Sequence, residues 1–325
     1  MNYWNGKKIL VTGGAGFIGH RLVIKLVEQG ARVTVIDDLS KGNKKNLAAI
    51  AQKVELRRDS LLDRNIAKGL LVDCDVCFHL AARIGGIGYF HKTPASSLRD
   101  NSRMNFNLWD AAIDSGCKMV CLSSSMVFER ASEFPTPEKA VYSSAPPMTG
   151  YGFSKLVAEY IARTYSEEFD VKYLIVRPFN AYGPGEAPGD YVGYAHVIPD
   201  LIKKTLSDQY PLEILGSGKQ TRSYTYVDDV ADAIIYVAER FENEDFNIGT
   251  GVETSVVDLA IKIWNLCVRK EPFEVKFIPG FKYDVLRRVP DVTRIFEKGW
   301  RPKYTLEEGL RLNIEWLRQN LDSTP

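Results

Sequence analysis

Tyr151 and Lys155 lie four residues apart in YGFSK, a spacing that brings a phenol and an ammonium onto one face of a helix. A free phenol titrates at about 10 and is a poor base at neutral pH. A neighbouring ammonium favours the phenolate, so the pair is suited to moving a proton on and off a hydroxyl. The competing reading is a solvent-facing helix with an incidental YxxxK. The stretch VTGGAGFIG at residues 11–19 decides against it. There Gly13, Gly16 and Gly19 follow a short apolar run, residues 8–11, and open a segment of helical periodicity. Bare backbone at these positions permits a sharp turn and close approach to a pyrophosphate, and the helix N-terminus offers free N–H groups to it. Phe17 and Ile18 belong to the same turn.

A third group comes from CLSSSMVF at residues 121–128. Ligands of an open parallel sheet sit beyond the carboxyl ends of its strands, so Ser124 can share the reacting proton with Tyr151. Ser123 and Ser125 alternate with it and are otherwise hydrogen-bonding residues of a strand end. The strand at residues 32–36 ends in Asp37 and Asp38, about 20 residues beyond the glycines, as a dinucleotide fingerprint requires. A carboxylate there accepts from ribose hydroxyls and repels a 2′-phosphate, which favours NAD over NADP. Lys41, Lys44 and Lys45 soften that preference.

The elements that must carry these groups alternate. Candidate strands lie at 8–11, 32–36, 54–57, 76–80, 119–123 and 173–176, with amphipathic helices at 17–28, 101–115 and 152–168 among them. Such alternation predicts an α/β fold, a Rossmann-type doubly wound parallel sheet with helices on both faces. The last third is punctuated by prolines, with helices expected near 197–207, 227–240, 255–268 and 305–319. We expect residues 1–180, joined by roughly 223–249, to form the dinucleotide-binding domain. Residues 181–222 and 250–325 form a smaller α/β substrate lobe, with a frayed tail at 322–325.

A net charge of +1 over 325 residues gives no electrostatic case for nucleic acid or a membrane surface. No apolar run approaches the ~18 residues of a membrane span, and MNYWNGKK lacks the apolar centre of a signal peptide. A cytoplasmic protein is expected, and five cysteines without framework spacing fit a reducing compartment. Cys74 and Cys77 form a CxxC, but it reads as a turn feeding a buried strand, with no second pair to complete a metal site. The four histidines show no ligand spacing, so no metal is expected.

Taken together the motifs resemble the extended short-chain dehydrogenase/reductase family, in particular its nucleotide-sugar epimerases, dehydratases and reductases. The resemblance runs from TGGAGFIG through HLAAR (79–83), SSSMVF, YGFSK, RPFNAYGPG (177–185) and QTRSYTYVDDVADAI (220–234) to DVTRIFEKGWRP (291–302). It implies that Asp59 and Ser60 contact the adenine, that Leu80, Ala81 and Ala82 line the cofactor, and that Asn101 supports its phosphates. Arg83, Gly86, Ser125 and His196 would meet the substrate. Asn180 and Arg222 would grip its diphosphate, Arg222 because a guanidinium matches phosphate oxygens bidentately. Arg287 or Arg288 would be a second clamp.

The resemblance also constrains the reaction. The family's 4,6-dehydratases carry an Asp–Glu pair directly after the catalytic Ser or Thr, and its decarboxylases carry a glutamate at the place of Met126. Here Ser125 and Met126 stand there. The loop AARIGGIGYF (81–90) is similar to that of GDP-mannose 3,5-epimerase and GDP-fucose synthase, and His196 matches the latter's histidine acid. Both relatives, however, use a cysteine where this chain has Met126, and a thioether moves no proton. The leading expectation is an NAD-dependent nucleotide-sugar 4-epimerase working through a transient 4-keto sugar, with C2 also open. The alternative is a 4-keto nucleotide-sugar reductase or 3,5-epimerase/reductase, and a cofactor-sensing scaffold is the non-enzymatic reading. The loop tilts the nucleotide toward GDP, with UDP, CDP and dTDP open, because the base pocket near 192–214 has no readable pattern. Apolar stripes at 105–112 and 156–165 suit a homodimer interface or the core.

Overall fold

The apolar runs become the inner strands of a seven-stranded parallel sheet in the computed structural model, which describes residues 2–189, 191, 193–282 and 284–321. Its strands are β1 (Lys8–Thr12), β2 (Arg32–Ile36), β3 (Val54–Arg57), β4 (Val76–His79), β5 (Lys118–Leu122), β6 (Tyr173–Pro178) and, beside β6, Glu244–Ile248. From one edge the order is Glu244–Ile248, β6, β5, β4, β1, β2, β3. The order reverses between β1 and β4, and a crevice opens beyond the carboxyl ends there.

Successive residues of a strand face opposite sides, and the cores follow that period. Ile9, Val11, Val35, Phe78, Val120 and Val176 pack under the helices Phe17–Glu28 and Val227–Arg240. Leu10, Ile36, Cys77, Met119, Cys121 and Ile175 pack under Pro94–Ala112 and Gly150–Phe169. The helix expected from residue 101 begins instead at Pro94, whose fixed φ and missing N–H suit a first helical position. The strand Glu244–Ile248 was not among the expected ones, because EDFNI is too polar for a buried run. Parallel pairing with β6 makes it a strand.

A separate core, including Ile198, Ile202, Leu212, Leu259, Trp264 and Leu310, is built from residues beyond 181. Above it Thr221–Ser223 is the middle strand of a three-stranded sheet, antiparallel to Glu253–Ser255 and parallel to Arg287–Arg288. The tail Asp322–Pro325 lies outside the described residues, as does Val192 at the head of the expected base pocket. Among the described residues no helix is long and apolar enough to cross a membrane.

Candidate active site

The glycine turn forms the floor of a cleft lined by Gly13, Gly16, Phe17, Ile18, Gly19, Asp37, Asp38, Asp59, Ser60, Leu80, Ala81 and Ala82. Gly13 has φ +71°, and a Cβ on it would stand 2.8 Å from the Ala81 nitrogen; one on Gly19 would stand 2.2 Å from the Gly13 carbonyl oxygen. No side chain caps the helix Phe17–Glu28, so its first N–H groups remain available to an anion. The two aspartates divide their work. Asp37 is buried and accepts from the Ala15 and Leu39 amides at 3.0 and 2.8 Å, which shapes the turn. Asp38 accepts from the Ser40 amide at 2.9 Å and is one-third exposed at the cleft. A cradle that a single Cβ would fill, a free helix N-terminus and a carboxylate at the next strand end fit a dinucleotide.

The reacting groups meet where this cleft joins a second cavity. Thr149 caps the helix Gly150–Phe169 by accepting from the Gly152 amide at 3.0 Å, and Glu129 accepts from the Met148 and Thr149 amides at 2.7 and 3.0 Å. Gly152 lets that helix lie against the turn after β5, since a Cβ there would come within 2.8 Å of the Met126 carbonyl oxygen. Tyr151 is thereby held at the same cavity as Ser124, with its ring stacked on Phe90, centroids 4.5 Å apart. Lys155 Nζ donates to the Leu122 carbonyl oxygen at 2.6 Å and lies 5.9 Å from the Tyr151 ring centre. The expected lowering of the phenol by Lys155 does not prevail. Burial pushes Tyr151 up to about 12, against the pull of the Ser124 hydroxyl and the Arg288 charge. Burial likewise lowers Lys155, opposed by Cys121 and Glu159.

The second cavity is lined by Ser124, Ser125, Met126, Tyr151, Asn180, Arg222 and Arg288, among others. Strand pairing sets Arg288 opposite Arg222. Arg222 is buried and donates to Asp284 at 2.9 Å and to its neighbour's carbonyl, that of Thr221, at 2.9 Å. Arg288 has a buried Nε without a protein partner, and burial beside Arg222 lowers it to about 9. Two adjacent guanidinium groups with donors to spare make an anion site. Arg287 points the other way and pairs with Glu253 at 2.8 Å. Of the two alternatives, Arg288 is thus the one at the cavity.

His196 and Gly86 border both cavities. His196 is half exposed, and its Nδ1 bonds to the Glu186 carboxylate. Burial disfavours the imidazolium, yet Glu186 outweighs that and raises its pKa. Asn180, with φ +40°, donates to the Ser223 carbonyl at 2.9 Å at the edge of the substrate cavity.

Two residues stand elsewhere than expected. Asn101 does not line the cleft. It is buried, accepts from the Arg83 amide at 2.6 Å and donates to Ser154 Oγ at 3.1 Å, tying the 81–90 loop to the catalytic helix. Arg83 borders the dinucleotide cleft rather than the substrate cavity, reaching Ser40 at 2.9 Å and Asp38 at 3.7 Å. Carboxylates on two sides, Asp38 and Asp100, draw the guanidinium there. Sequence reading missed Glu186, Phe90 and Asp284. Phe90 ends the 81–90 loop but no role is read from it there, Glu186 and Asp284 belong to no spaced motif, and only folding brings the three to the site.

Residues 9–249 match the NAD dependent epimerase/dehydratase family. The chain is 34% identical over 316 residues to a putative UDP-glucose 4-epimerase of Methanocaldococcus jannaschii, covering 96% of this chain and 99% of that one. It is 33% identical over 322 residues to the UDP-N-acetyl-alpha-D-glucosaminuronate decarboxylase of Bacillus cytotoxicus, covering 96% and 98%. Among solved structures, the UDP-glucose 4-epimerase of Thermotoga maritima with UDP-glucose superimposes with a TM-score of 0.87 at 34% identity, covering 97% and 99%. These three relatives are UDP-sugar enzymes by name, and none of the three is named for a GDP-sugar. With a family match over most of its length and relatives aligned end to end, this chain belongs to the NAD dependent epimerase/dehydratase family.

Proposed function

We propose that this protein is an NAD-dependent nucleotide-sugar epimerase that inverts C4 of a nucleoside-diphosphate hexose through a transient 4-keto sugar. The observation that carries the reading is the set of groups around the reacting phenol. Ser124 lines the same cavity as Tyr151, and Ser125 and Met126 occupy the positions where the family's dehydratases and decarboxylases carry acids. The positive charge of a bound oxidised nicotinamide would favour the phenolate of Tyr151, which takes the C4 hydroxyl proton and returns it, with Ser124 relaying it. Lys155 orients the nicotinamide ribose from its perch on Leu122. The dinucleotide, held by Gly13, Gly16, Gly19 and Asp38, supplies reversible hydride acceptance. Arg222 and Arg288 hold the diphosphate, so the sugar can turn over between the two half-reactions while its anchor stays put.

The named substrates of the relatives favour UDP over GDP as the nucleotide. Residues 181–222 and 250–321 act as the substrate lobe in this reading. Phe106 and Tyr160, 47% and 53% exposed on the two long helices of one face, support a homodimer. A second reading, reduction or 3,5-epimerisation of a 4-keto sugar, draws support from one observation: His196, ion-paired with Glu186, is a further proton carrier beside the sugar cavity.

The test is to incubate the freshly purified protein with UDP-hexoses and no added nicotinamide, following the sugar by proton NMR. Interconversion of gluco and galacto isomers is expected. Protein that acts on a 4-keto sugar only with added NADPH would overturn the epimerase in favour of the reductase.

A further inference from the structure

Glu159 is fully buried one helical turn after Lys155, in a part of the molecule that the proposed chemistry does not use. Its carboxylate accepts from Ser123 Oγ at 2.5 Å, from Arg177 Nε and Nη2 at 2.6 and 2.7 Å, and from Arg163 Nη2 at 3.2 Å. Arg177 in turn reaches Asp245 at 2.6 Å. A buried cluster of paired charges is costly, and apolar residues would fill the space. What distinguishes Glu159 is where its bonds lead. Ser123 directly precedes Ser124, so the carboxylate fixes the end of β5 from which the Tyr151 partner projects. Lys155 shares the same helix face, four residues before Glu159.

We propose that Glu159 is a positioning residue for catalysis: it anchors the end of β5 through Ser123, setting Ser124 against Tyr151, and supplies the negative charge that keeps Lys155 an ammonium within the core. The inference rests on the roles assigned above to Ser124, Tyr151 and Lys155. Lys155 faces Cys121 from β5, His79 from β4 and Tyr151 on its own helix. Burial makes both Cys121 and His79 neutral near pH 7, with Cys121 pushed up to about 12 and His79 down to about 3. Tyr151 is uncharged there as well. Glu159 is then the carboxylate among the groups acting on Lys155, and it opposes the burial that would discharge it. Beyond Glu159 stand Arg163 and Arg177, which pair with its carboxylate, and Asp245, which pairs with both arginines.

The experiment reads Lys155 directly, by 15N NMR titration of Nζ in lysine-labelled protein, with the resonance assigned by its loss in Lys155→Met. The wild type is compared with Glu159→Gln, with Ser123→Ala, and with Glu159→Gln/Arg177→Met, which removes the buried pair together should the single variant not fold. Lys155 is expected to lose its proton about one pH unit or more lower in Glu159→Gln, and to shift in the same direction by less in the double variant, which also removes the Arg177 cation. In Ser123→Ala it should titrate as in the wild type while turnover falls about tenfold. An unchanged Lys155 titration in a folded Glu159 variant, or undiminished turnover in Ser123→Ala, would overturn the proposal. If the wild type proves not to be an epimerase, the proposed function fails, and the NMR titration still judges Glu159.

Discussion

The two cavities, which share Leu122, Gly86 and His196, are made in opposite ways. The dinucleotide cleft is built from short-range geometry: a turn of nine residues, a strand end some twenty residues on, and a helix whose free N-terminus needs no distant partner. The substrate cavity is built from long-range pairing. Arg222 and Arg288 are 66 positions apart and become neighbours only because Thr221–Ser223 and Arg287–Arg288 pair in parallel. Their electrostatics differ accordingly. The cleft uses partial charges of backbone and two carboxylates, whereas the cavity concentrates whole positive charges, one of them with an unspent donor. A backbone-built site holds a ligand common to a whole family, and a side-chain-built site can be changed without disturbing the sheet.

Breaking the junction should have the largest effect. Tyr151→Phe keeps the ring against Phe90 and loses only the hydroxyl, so turnover should fall about a thousandfold. NAD and nucleotide-sugar affinities, measured by calorimetry, should change little. A comparable loss of both affinities would show that Tyr151 holds the site together instead.

The substrate cavity is the next target. Arg288→Met and Arg222→Met should each weaken nucleotide-diphosphate binding about a hundredfold while leaving NAD binding intact. Arg287→Met, which removes an exposed ion pair with Glu253, should leave both within about twofold. Equal losses at Arg287 and Arg288 would erase the distinction between inward and outward residues of that strand.

In the cleft, Gly13→Ala must adopt a strained φ and meet the Ala81 backbone. We expect NAD affinity to drop about tenfold, with sugar-nucleotide affinity unaltered in equilibrium dialysis.

The smallest effect sharpens the boundary between the cavities. Glu186 raises the pKa of His196, so the imidazolium persists to higher pH than a free histidine would. It is present below that raised value and lost as pH climbs through it. Where the cation aids binding of the diphosphate sugar, KM should rise on that climb. Glu186→Gln should move the rise about one pH unit lower. A pH profile identical in the two proteins would leave His196 without an electrostatic part.

Legibility followed the same divide. Six of the seven sheet strands, the glycine turn, the aspartate pair and the YxxxK helix could all be read, because each depends on residues within one or two elements. The strand Glu244–Ile248 could not, since its place comes from β6 rather than from its own polar composition. Asn101 and Arg83 were assigned to ligands on motif position alone. Folding instead gave Asn101 a backbone to hold and Arg83 two carboxylates to face. Phe90 and Glu186 carry no spacing signal; Phe90 meets Tyr151 across a long stretch of chain, and Glu186 meets His196 because the ten-residue segment between them folds back.

By itself the amino-acid order determined the sheet, the glycine turn and the placing of Tyr151 and Lys155 on one helix face. All of these are set by periodicity, by glycine's missing side chain or by fixed helical spacing. Tertiary structure alone decided which arginine faces the cavity and which faces solvent. It alone gave His196 a carboxylate partner, and burial in the folded chain holds the Tyr151 phenol near 12 despite a lysine one turn away. Those outcomes depend on desolvation and on charges from remote segments, and neither quantity exists until the chain has folded.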